Sequence, residues 1–100
     1  MALATQRPRS RWPLGWKIEY FPGALKDLKK LDKQVAREIT AYLRDLASTG
    51  FPEKQGKPLS GKLAGLRRYR WRDWRVVTRL DHENFIILAV AVGHRSRIYE

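Results

Sequence analysis

The sequence has no cysteine, a single methionine, and ten acidic residues against 21 lysines and arginines. Without thiols there is no disulfide framework and no thiolate metal site, and two histidines alone make a poor metal site, so neither metal nor cofactor is expected. Long apolar runs are missing too. The longest, Phe85 to Val92, falls far short of the ~20 residues of a membrane-spanning helix. The N-terminus carries charge but no apolar segment of a secretory signal behind it. Together these absences point to a protein of the reducing cytoplasm.

What is present is positive charge on a chain able to fold. The 100 residues carry a formal net charge of +11, and 43% of them are hydrophobic, including four tryptophans. That apolar share suffices for one core, so the charge is not read as disorder, and the length implies a single domain. A surplus of this size draws polyanions, and by itself leaves nucleic acid, an acidic protein and a membrane surface open.

Residues 1–15 contain Arg7, Pro8, Arg9, Arg11 and Pro13 without an apolar period and read as a flexible basic arm, leaving 16–100 as the folded domain. Trp16, Ile18 and Tyr20 alternate with Lys17 and Glu19 in the pattern of a half-buried strand. Pro22 suits the first turn of a helix whose Leu25, Leu28 and Leu31 share a face. Asp32 is placed to cap a second helix, along which Val35, Ile39, Tyr42, Leu43 and Leu46 form a 3.6-residue stripe ending near Gly50 and Pro52. From 52 to 65 the glycines, lysines and prolines predict an exposed loop bearing Lys54, Lys57 and Lys62.

Leu66 to Trp71, Trp74 to Leu80 and Phe85 to Val92 then read as three strands joined by short turns at Arg72–Asp73 and Asp81–Asn84, hence as antiparallel neighbours. The last is apolar throughout, which predicts a central strand covered on both faces. The expected class is α+β: an N-terminal strand and a two-helix hairpin packed on an antiparallel sheet of about four strands.

Between Leu66 and Arg79 lie six arginines interleaved with Tyr69, Trp71 and Trp74. A period of two puts Arg68, Arg70 and Arg72 on one face and Tyr69 and Trp71 on the other, toward the helices. On the next strand Trp74, Val76 and Leu80 would face the core, leaving Arg75 and Arg79 with the other arginines. Like charges ~7 Å apart repel by about 0.6 kcal/mol even in water, so stability alone does not select such a face. A solvated strand chosen for solubility is one explanation; the use of arginine rather than lysine favours a phosphate-binding face, because the guanidinium is a planar, permanently charged fork. A second cluster, Gly93-His94-Arg95-Ser96-Arg97-Ile98-Tyr99, follows the last strand. His94 reads as a hydrogen-bonding residue at the sheet margin, and His82 as an exposed turn residue.

Three segments, ALKDLKKLDKQV, LSGKLAGLRRYRWRDWRVV and AVGHRSRIY, carry a resemblance to the RelE/ParE superfamily of bacterial type II toxin–antitoxin toxins, closer to the RelE branch. They lie in the expected order between Trp16 and Tyr99. The resemblance implies a microbial-ribonuclease-like fold and a metal-free endoribonuclease that cuts messenger RNA in the ribosomal A site and stops translation. It also implies a cognate RelB-like antitoxin, expected to be acidic and partly disordered, and a toxin that is monomeric alone. Carried over by position, the catalytic set is Arg68, Arg70, Arg75, Arg95 and Tyr99, with Tyr99 as the base. Lys54, Lys57, Lys62, Arg67, Arg72, Arg79 and Arg97 are the expected RNA contacts. The sequence departs from well-known RelE enzymes in having arginines where those have lysines on the second strand, and it stops one residue after Tyr99, where many relatives continue into a helix. Two alternatives stay open: a ParE-like toxin that blocks DNA gyrase by protein contact, and a non-catalytic RNA-binding domain.

Overall fold

The computed structural model describes residues 15–49 and 51–98. Tyr99, and all but Gly15 of the expected basic arm, therefore lie outside the described residues. Strand β1 (Lys17–Tyr20) leads into helices α1 (Pro22–Lys29) and α2 (Lys33–Thr49). A short strand β2 (Lys57–Pro58) lies between 3-10 turns at Pro52–Lys54 and Gly61–Leu63, and β3 (Arg67–Trp71), β4 (Trp74–Asp81) and β5 (Ile86–His94) follow.

The strands form one sheet in the order β1-β5-β4-β3-β2. The α+β class and the helical hairpin are as expected, and two features go beyond the expectation. The 52–65 segment contributes a fifth strand, and β1 pairs parallel to β5, with Ile18 beside Ile87 and Tyr20 beside Ala89, so the sheet is mixed. A parallel pair requires a long crossover, and nothing in a strand's own alternation reveals the direction of its partner.

Asp32 caps α2 as expected: its Oδ2 accepts the Gln34 N–H at 3.0 Å. The stripe of α2 buries Ile39, Leu43 and Leu46, with Val35 and Tyr42 packed at the margin of the core. In α1 the buried face is set by Ala24 and Leu28, four apart, while Leu25 remains 45% exposed, contrary to the leucine stripe expected there. The reason is the position of α1 beside β5. β1 ends at Tyr20, so beyond Ala89 the edge of β5 has no strand partner on that side, and Asp27 Oδ2 accepts the Val92 N–H at 2.9 Å. Turning Asp27 to the strand turns Leu25 outward.

The core lies between the helices and one face of the sheet, and holds Trp16, Ile39, Leu43, Tyr69, Val76, Ile87, Ala89 and Val92. Tyr69 is fully buried and donates its hydroxyl to the Pro52 carbonyl at 2.7 Å, tying β3 to the loop after α2. Along β5, Ile87, Ala89 and Val92 on this face are buried, whereas Ile86, Leu88, Val90 and Ala91 are only half-buried. Its uniform apolarity reflects a central position in the sheet rather than two covering layers.

Candidate functional site

The face of the sheet away from the helices collects the cations. Residues directly opposite in an antiparallel pair share a face. The register sets Arg70 against Arg75 and Arg68 against Val77, with Lys57 on the other side of Arg68. Lys57, Arg68, Arg70 and Arg75 thus form two adjoining rows of one cationic patch. Arg70 and Lys57 are exposed and Arg68 is half-buried.

Arg75 differs from the expectation that it projects freely with the others, because only 7% of it is exposed. Its Nη1 donates to the carbonyls of Arg72 and Trp74, both at 3.0 Å, so the turn between β3 and β4 replaces part of the water a guanidinium would lose. The charge is held beneath the patch, directly opposite the exposed Arg70.

The segment after β5 is folded back onto the same region. Arg97 N–H and Ile98 N–H both donate to the His94 carbonyl, at 2.8 and 3.0 Å, which closes a tight turn. Gly93 stands opposite Arg75, and a Cβ there would lie only 2.8 Å from Ile98 Cγ1, so Ile98 packs over the strand on the face that carries Arg75. Arg95 is delivered to the β3–β4 turn, where its N–H donates to the Asp73 carbonyl at 2.7 Å and its Nε lies 3.7 Å from Asp73 Oδ1. Both side chains of that ion pair are well exposed, so it orients Arg95 more than it stabilises the fold. His94 Nδ1 accepts the Ser96 N–H at 3.2 Å and lies 2.8 Å from Ser96 Oγ, and its ring meets Trp74 edge-on at 5.4 Å. This is the hydrogen-bonding role at the sheet margin read from the sequence.

The structure thus brings Arg68, Arg70, Arg75 and Arg95 to one end of the sheet with Lys57 beside Arg68, and places the other expected RNA contacts elsewhere. Arg67 is turned to the helix side, where its Nε donates to the Gln55 carbonyl and its guanidinium bonds the Tyr69 hydroxyl, so it serves as a tie within the fold. Arg72 does not share the face of Arg68 and Arg70, since β3 ends at Trp71 and Arg72 adopts a left-handed conformation, φ 55°, that swings its guanidinium over the Trp71 ring. Arg79 lies on the cationic face but four residues along β4 from Arg75, about 13 Å at the usual strand rise. Arg97 lines an open groove of about 600 Å³ with Asp27, Lys30, Trp74 and His94. Lys54 sits over the Phe51 ring at 5.0 Å, and Lys62 lies on the exposed turn before β3. Sequence reasoning missed Asp73, which anchors Arg95, and, although it singled out Gly93, it missed that this residue admits Ile98. A lone acid inside an arginine-rich hairpin was the available signal for Asp73.

Burial pushes the hydroxyl of Tyr69 up to about 12, against a smaller lowering by Arg67. It also raises Tyr20, where Arg44 opposes the shift, and Tyr42. None of these three tyrosines is biased toward the phenolate a base requires, and none lies in the cationic patch. Among the described residues no three His, Cys, Asp or Glu side chains are grouped to hold a metal ion, and no helix is long and apolar enough to cross a membrane.

Two helices packed on a mixed five-stranded sheet match the architecture of RelE-type toxins. The family model of the ParE toxin of type II toxin–antitoxin systems matches residues 18–99, and the chain belongs to this RelE/ParE superfamily of toxins. Among its relatives, Toxin RelG of Mycobacterium tuberculosis is 30% identical over 83 residues, covering 82% of this chain and 93% of RelG. The crystal structure of the toxin–antitoxin complex RelBE2 from the same organism contains a chain that superposes with a TM-score of 0.75 at 28% identity, over 82% of this chain and 100% of that one. The isolated Escherichia coli RelE toxin matches with a TM-score of 0.64 over 79% of this chain and 83% of its own, and at 18% identity that likeness is one of fold.

Proposed function

We propose that this toxin is a metal-independent endoribonuclease that cuts messenger RNA in the ribosomal A site and thereby stops translation. The observation that carries the reading is the convergence of Arg70, Arg75 and Arg95 on one end of an open sheet face, by a register and a turn that place three like charges together. Like charges this close repel one another, the exposed Asp73 offsets only part of that, and the cluster therefore favours a bound anion. Cleavage without a metal requires the 2′-hydroxyl to lose its proton, attack the neighbouring phosphate and expel the 5′-oxygen, with negative charge growing on the phosphoryl oxygens. Pre-placed cations aimed at that charge supply the largest share of the rate gain.

In this reading Arg68, Arg70 and Arg95 contact the phosphoryl oxygens, while Arg75 adds positive potential from below and steadies the turn that positions Arg95. Tyr99, which directly follows Ile98 in the sequence, is the base that takes the 2′-hydroxyl proton. Arginine hardly gives up its own proton, so a ribosomal group is the better donor to the 5′-oxygen. Lys57 tracks the RNA backbone on one side of the patch and Arg79 on the other. Because the ribosome supplies substrate positioning, free RNA is cut weakly.

A RelB-like antitoxin, acidic and partly disordered, neutralises the toxin, and the toxin alone is a monomer of the cytoplasm. The relatives in solved RelB–RelE complexes and the net charge of +11 support such a partner. The matching ParE family model favours one alternative, a block of DNA gyrase by protein contact without RNA chemistry.

The deciding experiment expresses the wild-type chain and its Arg70→Ala, Arg95→Ala and Tyr99→Phe variants, and maps messenger ends on translated and untranslated copies of one transcript. Cuts confined to the translated copy and lost in the variants are expected. Growth arrest without cuts would replace the nuclease reading with the gyrase one.

A further inference from the structure

We propose that the Trp71–Arg72 stack at the β3–β4 turn reads one messenger base by stacking, and so makes the toxin prefer codons that offer a purine there. The proposal rests on the nuclease reading above and adds a specificity element to it.

The backbone supplies the first observation. Arg72 is one of two non-glycine residues among those described with a positive φ, at 55°. Glycine or asparagine adopts this conformation with little strain, and arginine does not. The carbonyl of this residue accepts from Arg75 Nη1 at 3.0 Å, and glycine would offer the same carbonyl without the strain. Backbone strain retained at the turn beside the cationic site points to a use of this side chain there.

The side chain supplies the second observation. The Arg72 guanidinium lies 4.8 Å from the centre of the Trp71 ring, and the residue is exposed. The guanidinium is held against the indole while the residue stays exposed, so a ligand can reach it. A planar cation backed by an aromatic ring is a surface on which an unpaired base stacks, and single-stranded RNA is recognised largely by such stacking. Selectivity from stacking alone follows ring size, which favours purines over pyrimidines.

The third observation is registration. The residue beside Arg72 is Asp73, which holds Arg95 through the N–H to carbonyl bond of 2.7 Å and the 3.7 Å ion pair. Arg75 is bonded to the carbonyl of Arg72 itself. The backbone that carries the platform is therefore tied to two cations of the cleavage site, at the end of the sheet where their face meets the turn.

The test uses ribosomes paused with every sense codon in the A site of defined messengers, and compares cutting by the wild type, Arg72→Gly and Arg72→Lys. Glycine removes the side chain and the strain, so thermal unfolding of that variant occurs at the same temperature or higher, which separates function from folding. Lysine keeps the charge without the plane. Both variants are expected to cut purine codons about fivefold or more slowly than the wild type and to lose its preference among codons, the low end of what base stacking contributes. A wild-type codon profile in either variant overturns the proposal, and normal behaviour of Arg72→Lys with failure of Arg72→Gly reassigns Arg72 to simple phosphate contact. If the wild type itself cuts no codon, the nuclease reading fails, and the base platform with it.

Discussion

Replacing Gly93 with alanine tests whether the folded-back C-terminal segment is part of the site. The new Cβ would stand 2.8 Å from Ile98 Cγ1 and 3.2 Å from Cδ1, closer than side chains tolerate, and the branched Ile98 has little rotamer freedom with which to yield. The segment must lift. Ile98 is half-buried, so losing its contact costs about 1 kcal/mol, roughly half of what full burial of an isoleucine contributes. Alanine in place of glycine within a strand returns about 0.5 to 1 kcal/mol of backbone entropy. The two effects nearly cancel, and the urea midpoint is expected to move by less than about 1 kcal/mol in free energy. Cleavage on programmed ribosomes should nevertheless fall tenfold or more, because the segment that carries Arg95 is no longer held at the patch. Combining Gly93→Ala with Ile98→Ala should abolish the steric part, so the stability changes of the pair are not additive. Full activity of Gly93→Ala, or strict additivity with Ile98→Ala, would refute the argument.

Other consequences are open to direct measurement. Tyr69→Phe leaves the buried Pro52 carbonyl without its 2.7 Å donor and should cost about 1 to 2 kcal/mol at neutral pH, lowering the melting temperature by roughly 5 to 10 °C. Because the Tyr69 hydroxyl is raised to about 12 in the folded state while an unfolded tyrosine ionises near 10, the wild type loses this contribution as the pH climbs from 10 to 12. The stability gap between wild type and Tyr69→Phe, followed by urea titrations, should therefore shrink across that window; a constant gap would be inconsistent with the shift. Asp27→Ala removes the acceptor of the Val92 N–H, and hydrogen exchange at Val92 should accelerate ahead of its neighbours in β5, an outcome absent if water substitutes fully for the carboxylate. Arg67→Ala should lower stability with little effect on cleavage per folded molecule, whereas Arg70→Ala should do the reverse; similar behaviour of the two would contradict their assignment to opposite faces.

Much of this molecule was legible before its structure was. Alternation and the 3.6-residue stripe report which side of its own element a residue occupies, and that local geometry is enough to sort Tyr69 from Arg68 and Arg70, to bury Ile39, Leu43 and Leu46, and to place Asp32 as a cap. The order of elements and the α+β class follow from the same information, since each amphipathic face demands a partner. Tertiary structure decided what depends on contacts distant in the chain or on a single dihedral angle. The parallel pairing of β1 with β5 joins segments more than sixty residues apart, and only the packing of the helical hairpin selects its direction. The strand period fails at Arg72 because one left-handed residue ends the alternation and turns the side chain onto Trp71. Arg75 has the same place in the pattern as the exposed Arg79, yet it is buried, since the carbonyls of a tight turn can solvate a guanidinium that the alternation alone leaves in water. Composition and period determined the elements and their faces; the pairing of strands and the geometry of two turns determined which charges meet.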